Sequence, residues 1–192
     1  MITTPPPKAA IFGLAGLTLT DAERAFFATQ RPVGYILFAR NVKDPAQVSA
    51  LVKDLRSLTP GHSPVVLIDQ EGGRVQRLKP PYWRFAPTGE AFGRMYAKNA
   101  QAGIDAIRTN MRLIGKELAD LGIDVDCAPL LDVPVPGAHD VIGDRAFGTD
   151  PEIVAALAPA AGPLPPLEPH VVPLQAAPCS RDALTPGRIL DV

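Results

Sequence analysis

Asp69, Glu71, Arg74 and Arg77 stand together in Asp69-Gln70-Glu71-Gly72-Gly73-Arg74-Val75-Gln76-Arg77, directly after the apolar run Val65-Val66-Leu67-Ile68. A carboxylate accepts hydrogen bonds from hydroxyls, and a guanidinium donates to ring or acetamido oxygens. Side by side they also hold each other in place, which suits the recognition of a neutral polyol. The plainer alternative is a turn fastened by a structural Asp–Arg pair. Polar residues crowded onto the mouth of a buried strand favour a site. Gly72-Gly73 either makes the turn or lets backbone approach a ligand. A phosphate cradle is not indicated, because neither G-x-G-x-x-G nor G-x-x-x-x-G-K-[ST] occurs. Asp144-Arg145 is a second acid–base neighbourhood, and spacing alone reads it as a loop salt bridge. Asp124 and Asp126 alternate on a strand and receive no role. His62, His139 and His170 lack Cys or carboxylate partners at ligand spacing, so neither a metal nor a cofactor is expected.

The elements that must position these groups alternate regularly. Residues 9–16 read as a short buried strand, and Thr20 with Glu23 forms a capping box that opens a helix to Gln30. Gly34 to Phe38 is a second apolar run, followed at once by the polar Arg40-Asn41. Asp44-Pro45 caps a helix whose Val48, Leu51, Val52, Leu55 and Leu58 form an apolar stripe. Pro64 to Asp69 is the third strand, and residues 72–99 read as a long irregular connection. A helix from Ala100 to Leu121 follows, stopped by Gly122. Ile123 to Val133 is the fourth strand, residues 134–150 are a second irregular connection, and Asp150-Pro151 starts a helix that runs to Ala161. Strands alternating with helices imply a parallel α/β sheet, closed either as a doubly wound sheet or as a (β/α)8 barrel. Both place ligands at the carboxyl ends of the strands, where Arg40-Asn41, Asp69 to Arg77 and Asp132 to Arg145 fall.

The totals are those of a globular chain: 192 residues, 46% hydrophobic, 20% charged and a net charge of −1. Near-neutral charge argues against a nucleic-acid or anionic-membrane partner. Two cysteines are too few for a disulfide framework, and Cys127 reads as an ordinary core thiol. No secretory signal and no membrane-spanning window are visible, so the cytoplasm is the expected compartment. After residue 161 the text changes. Seven of the 22 prolines lie in 162–192, with no apolar period. The expected division is therefore a folded part over 1–161 and a poorly ordered tail over 162–192, with a composition break of the kind a frameshift or truncation leaves.

Three segments together carry a resemblance: Gly34-Tyr35-Ile36-Leu37-Phe38-Ala39-Arg40-Asn41, then Ile68-Asp69-Gln70-Glu71-Gly72-Gly73-Arg74-Val75-Gln76-Arg77, then Ala128-Pro129-Leu130-Leu131-Asp132-Val133 with Ile142-Gly143-Asp144-Arg145-Ala146-Phe147-Gly148. In this order and spacing the chain resembles the N-terminal part of the bacterial β-N-acetylhexosaminidases of glycoside hydrolase family 3, over residues 9–161. The resemblance implies the first half of a (β/α)8 TIM barrel. It also implies release of terminal β-linked N-acetylglucosamine from muropeptide fragments in cytoplasmic peptidoglycan recycling. Asp69 resembles the family's hydroxyl acceptor, and Arg77 and Arg145 its substrate-binding arginines, with Arg74 as support. The retaining mechanism needs two catalytic groups flanking the bond. In the family these are an Asp from a later strand and a His in a Lys-His…Gly-His type motif. This sequence holds neither, so no catalytic residue is assigned and the chain alone is expected to be inactive. A non-catalytic sugar-binding or assembly fragment and a β-glucosidase-type specificity stay open. Oligomeric state is not legible.

Overall fold

The computed structural model describes residues 6–137 and 139–162 and the backbone of 172–173. The elements are β1 (Lys8–Gly13), α1 (Asp21–Gln30), β2 (Pro32–Leu37), α2 (Pro45–Ser57), β3 (Val65–Ile68), β4 (Gln70–Gly72), β5 (Val75–Gln76), α3 (Gly89–Lys98), α4 (Ala100–Leu121), β6 (Val125–Asp126), α5 (Pro151–Ala161) and β7 (Val172–Pro173). One-turn 3-10 helices sit at Ala39–Asn41 and Gly143–Arg145. The helix starts form by the chemistry their sequences announce. Thr20 and Glu23 make the reciprocal capping box. Asp44 caps α2 and Asp150 caps α5, each ahead of a proline. Gly122 takes the left-handed conformation that ends α4.

The main sheet runs β1-β2-β3-β6-β7, and every neighbouring pair is parallel. Strands are thus added in chain order, always on the same side. A doubly wound sheet reverses its order at a switch point. A sheet that never reverses, with right-handed crossovers, keeps its helices on one face and curls as the arc of a barrel. The closure left open by periodicity is therefore resolved as the incomplete first part of a (β/α)8 barrel.

Register separates the two faces of this arc. Phe12, Tyr35 and Val66 are cross-strand neighbours. Tyr35 and Val66 are fully buried, and Phe27 of α1 packs edge-on to Tyr35 with ring centroids 5.0 Å apart. Ile11, Gly34 and Val65 form the adjacent row, on the opposite face. There Ile11 is 46% exposed and Val65 37%. The face towards the barrel interior is open to solvent at Ile11 and Val65 and closed at Leu67, which is 3% exposed.

Three expectations are corrected. Residues 72–99 are not irregular throughout: β4 and β5 pair as an antiparallel hairpin, and α3 occupies ten residues of the stretch. α3 escapes a propensity reading because Gly89 and Gly93 weaken it. Those glycines let the helix lie on backbone, for a Cβ at Gly93 would come within 1.6 Å of the Phe147 carbonyl oxygen. The fourth strand is laddered only at Val125–Asp126 rather than from Ile123 to Val133. The first strand ends at Gly13 rather than Gly16. The expected poorly ordered tail lies outside the described residues, apart from β7, whose Val172 and Pro173 pair in parallel with Val125 and Asp126.

Seating α3 on Phe147 gives two glycines opposite roles. Gly93→Ala forces overpacking against backbone and should lower stability by about 1–3 kcal/mol. Gly115→Ala in α4, where nothing lies within 4 Å of the added carbon, should raise stability by about 0.5–1 kcal/mol. Urea midpoints of the two variants check the contrast, and equal midpoints would remove the proposed seat.

Candidate functional site

β3 leaves the core through Asp69, and the chain turns at once into the β4–β5 hairpin. Two glutamines fasten that turn. Gln70 is fully buried; its Oε1 accepts from the Arg77 and Leu78 N–H groups at 2.8 and 3.0 Å, and its Nε2 donates to the Leu78 carbonyl. Gln76 is buried as well, donating to the Leu78 and Arg84 carbonyls and accepting from the Ala86 N–H. Both side chains act as stand-ins for a missing strand, satisfying backbone that the ladder cannot reach. Gly72 has φ +106°, and a side chain there would meet the Pro87 carbonyl oxygen at 2.2 Å. The glycine is required by the returning 86–88 backbone, so no ligand need be invoked to explain it.

The charged residues sort into pairs. Arg77 donates to Asp69 Oδ2 at 2.6 Å, with both side chains about four-fifths buried. Arg145 grips Glu71 with two parallel hydrogen bonds of 2.7 and 2.8 Å, the bidentate geometry that a guanidinium fork favours. That bond to Glu71 holds the Arg145 pKa above its ordinary value, against the opposing effect of burial. Asp132 adds its charge to the same neighbourhood. Asp144 does not pair with its neighbour Arg145. It meets Arg74 at 3.2 Å, and the same guanidinium donates to the carbonyls of Asp140, Val141 and Ile142. Arg74 thus clamps the 140–144 turn, leaving Arg145 to reach Glu71. At the second strand mouth, Asn41 is fully buried. It donates to the Leu14 and Gly16 carbonyls and accepts from the Phe38 N–H, while Arg40 Nε donates to Leu14. These groups shape the rim by tying down the segment after β1.

Two residues escaped sequence reasoning. Glu71 belonged to the charged stretch but was not singled out as a site residue, yet it is the partner of Arg145. Asp126 is 2% exposed and sits beneath the hairpin, where its Oδ1 accepts from the Gln70 N–H at 3.0 Å. Its Oδ2 has no hydrogen-bond partner among the described residues. Burial pushes this carboxyl up to about 8, the Gln70 hydrogen bond opposes the shift, and the charges of Glu71 and Asp69 add to it. Nothing in the alternation of Asp124 and Asp126 distinguishes them. Asp124 pairs with Arg56 of α2 at 2.7 Å and accepts from the Val66 N–H, a structural fastening at the strand entrance. Burial also pushes the Cys127 thiol up to about 12, with Asp69 beside it, so it is not a thiolate nucleophile at neutral pH. Among the described residues no cluster of three or more His, Cys, Asp or Glu could hold a metal ion, and no helix is long and apolar enough to cross a membrane. What the strand mouths do offer is carboxylates and guanidiniums held together in pairs.

Known proteins are similar to this chain over most of its length. The family model described as Glycosyl hydrolase family 3 N terminal domain matches residues 13–161. A β-hexosaminidase of Thioalkalivibrio sulfidiphilus is 40% identical over 145 residues, which cover 76% of this chain and 41% of that relative. One of Methylococcus capsulatus is 41% identical over 149 residues, 77% of this chain and 42% of the relative. Among solved structures, NagZ from Neisseria gonorrhoeae in complex with N-trifluoroacetyl-D-glucosamine superposes with a TM-score of 0.75 at 32% identity, covering 81% of this chain and 45% of that one. A glycoside hydrolase family 3 β-N-acetylglucosaminidase from Paenibacillus sp. FPU-7 gives 0.70 at 34% identity, over 79% of this chain and 28% of that one. The chain thus spans under half the length of these relatives.

Asp126 makes the stability of the site depend on pH. In the unfolded chain an aspartate titrates near ~4. Between that value and about 8 the folded chain keeps a proton on Asp126 that the unfolded chain has lost. Stability should therefore fall as pH rises through this window, by up to about 1.4 kcal/mol per unit, and level off above it. Asp126→Asn retains an acceptor for the Gln70 N–H and carries no charge. Its urea midpoint relative to wild type should climb from about pH 5 to about pH 8; a flat difference would mean that Asp126 is ionised in the fold.

Proposed function

Because the chain belongs to glycosyl hydrolase family 3, we propose that it supplies the sugar-gripping part of a β-N-acetylhexosaminidase. In this reading Asp69 accepts from sugar hydroxyls, and Arg77 and Arg145 donate to sugar or acetamido oxygens. The Asp69–Arg77 and Glu71–Arg145 pairs, at the carboxyl end of one parallel strand, carry the reading. Barrels of this architecture place their sites at that end. Preformed pairs matter because binding then orders few side chains. The relatives' names, β-hexosaminidase and β-N-acetylglucosaminidase, support an N-acetylated amino sugar as the substrate class. Terminal β-linked N-acetylglucosamine of muropeptides, handled in the cytoplasm during peptidoglycan recycling, is the substrate and setting we infer.

Grip and cutting are separable in this family's chemistry. Retaining hydrolysis needs a nucleophile and an acid/base on either side of the bond. The sequence contains no Lys-His…Gly-His segment, and the acids of the β3 mouth are engaged: Asp69 with Arg77, Glu71 with Arg145, Asp126 beneath the backbone. The 192-residue chain by itself is therefore proposed to bind the sugar without cleaving it, which is also what a purely sugar-binding fragment would do.

Calorimetry with N-acetylglucosamine should show saturable heat. Asp69→Ala or Arg77→Ala should weaken binding about tenfold or more, the worth of one charge-assisted hydrogen bond. No heat at millimolar sugar would sink the grip, and equal binding of glucose would favour the β-glucosidase-type specificity. An aryl N-acetyl-β-glucosaminide should not be turned over by the chain alone; turnover that disappears in Asp69→Ala would overturn the separation of grip from cutting.

A further inference from the structure

The strand beside β3 ends on a buried acid. Asp126 of β6 stands opposite Ile68, the last residue of β3. It is 2% exposed, and its Oδ1 accepts from the Gln70 N–H at 3.0 Å. Gln70 relays the contact. Its side-chain Oε1 accepts from the Arg77 N–H at 2.8 Å, and the Arg77 guanidinium closes on Asp69 at 2.6 Å. Through one backbone N–H, Asp126 thus holds the residue that separates Asp69 from Glu71 and that sets the place of Arg77.

The other oxygen of Asp126 is buried and has no hydrogen-bond partner among the described residues. A neutral carboxyl tolerates such a place, whereas a carboxylate there carries charge on an unsolvated oxygen. The charges that act on it are Glu71 and Asp69. Each is engaged with an arginine of its own, Arg145 and Arg77. No guanidinium is therefore left at the β3 mouth to offset a charge on Asp126. Burial pushes its carboxyl up to about 8, with the Gln70 hydrogen bond opposing and the two acids adding to the shift. The adjacent Cys127 thiol, which burial pushes up to about 12, keeps its proton through this range. An ionised Asp126 relieves its desolvation only by admitting water or by moving outwards. Either one disturbs its single bond to the hairpin.

We propose that Asp126 is the positioning residue of the β3 mouth: protonated, it seats the hairpin that carries Asp69, Glu71 and Arg77, and on losing its proton it lets that hairpin shift. The consequence for sugar affinity rests on the grip proposed above; the movement of the hairpin does not. Asp126→Asn mimics the protonated acid, because its carbonyl oxygen accepts from the Gln70 N–H and its amide carries no charge. Asp126→Ala removes the acceptor altogether.

The test takes two readouts on the whole chain between about pH 6 and about pH 9.5. One is the amide resonances of Gln70 and Arg77 without sugar, and the other is calorimetric affinity for N-acetylglucosamine. Both are measured in wild type, Asp126→Asn and Asp126→Ala, with circular dichroism to verify folding. In wild type the two amides should titrate together with a midpoint of about 8, and affinity should fall about tenfold per pH unit above it. Asp126→Asn should keep the low-pH amide positions and the low-pH affinity throughout. Asp126→Ala should bind about tenfold more weakly at every pH. Static amides in wild type, or a titration retained in Asp126→Asn, would overturn the proposal. Amides that titrate in a chain that binds no sugar at any pH would uphold the positioning and sink the grip. Sugar affinity indifferent to the amide titration would overturn the link between Asp126 and the site.

Discussion

A parallel strand that emerges from a buried core must hand its backbone N–H and C=O groups to new partners within a residue or two. At the end of β3 the partners are side chains. Asp126 receives the Gln70 N–H, and the Gln70 and Gln76 amides receive the backbone of residues 77, 78, 84 and 86. Everything else at the strand mouth is built on this exchange. It fixes the hairpin, and the hairpin places Asp69 and Glu71 on either side of Gln70 with their carboxylates free to take one arginine each. Most of the polar residues in this crowded stretch serve the backbone, and the ligand-facing set is the smaller remainder.

Those two arginines come from different distances. Arg77 is supplied by the hairpin itself, whereas Arg145 arrives from beyond α4 and β6. Arg74 makes the second arrival possible by gathering three consecutive carbonyls and Asp144. A bidentate pair that is four-fifths or more buried holds far better than an exposed one, because fewer waters compete and less side-chain freedom remains to be lost. The structural ion pairs and the candidate contacts are thus the same atoms seen from two sides. A sugar that approached would find its donors and acceptors already oriented.

Much of this was legible in the sequence because it depends on local chemistry. Thr20 with Glu23, Asp44 with Pro45 and Asp150 with Pro151 announce helix starts whatever they pack against. The apolar runs at Val65–Ile68 and Gly34–Phe38 can be little but buried strands. What escaped depends on contacts distant in sequence. α3 is hidden by glycines that seat it on the Arg145 and Phe147 carbonyls. The ladder of β6 is cut to two residues by where β3 ends, which hydrophobicity from Ile123 to Val133 does not record. Asp124 and Asp126 look alike in alternation and differ only in their neighbours, Arg56 for one and the Gln70 N–H for the other. Glu71 went unassigned because its partner lies on a separate connection. The choice between barrel and doubly wound sheet needed strand order, which no periodicity contains.

The bond between Glu71 and Arg145 spans 74 positions of chain. Contacts of such long range cost chain entropy, because the intervening segment must lose its freedom before the pair returns anything. Here the segment includes α3, all of α4 and β6, so the two ends meet only where those elements are docked. The clasp is in this sense a latch on folding. A chain that had collapsed around its helices but misplaced α4 would keep Asp69 beside Arg77 and lack the second arm. The full set of paired charges is therefore confined to molecules whose long-range topology is correct.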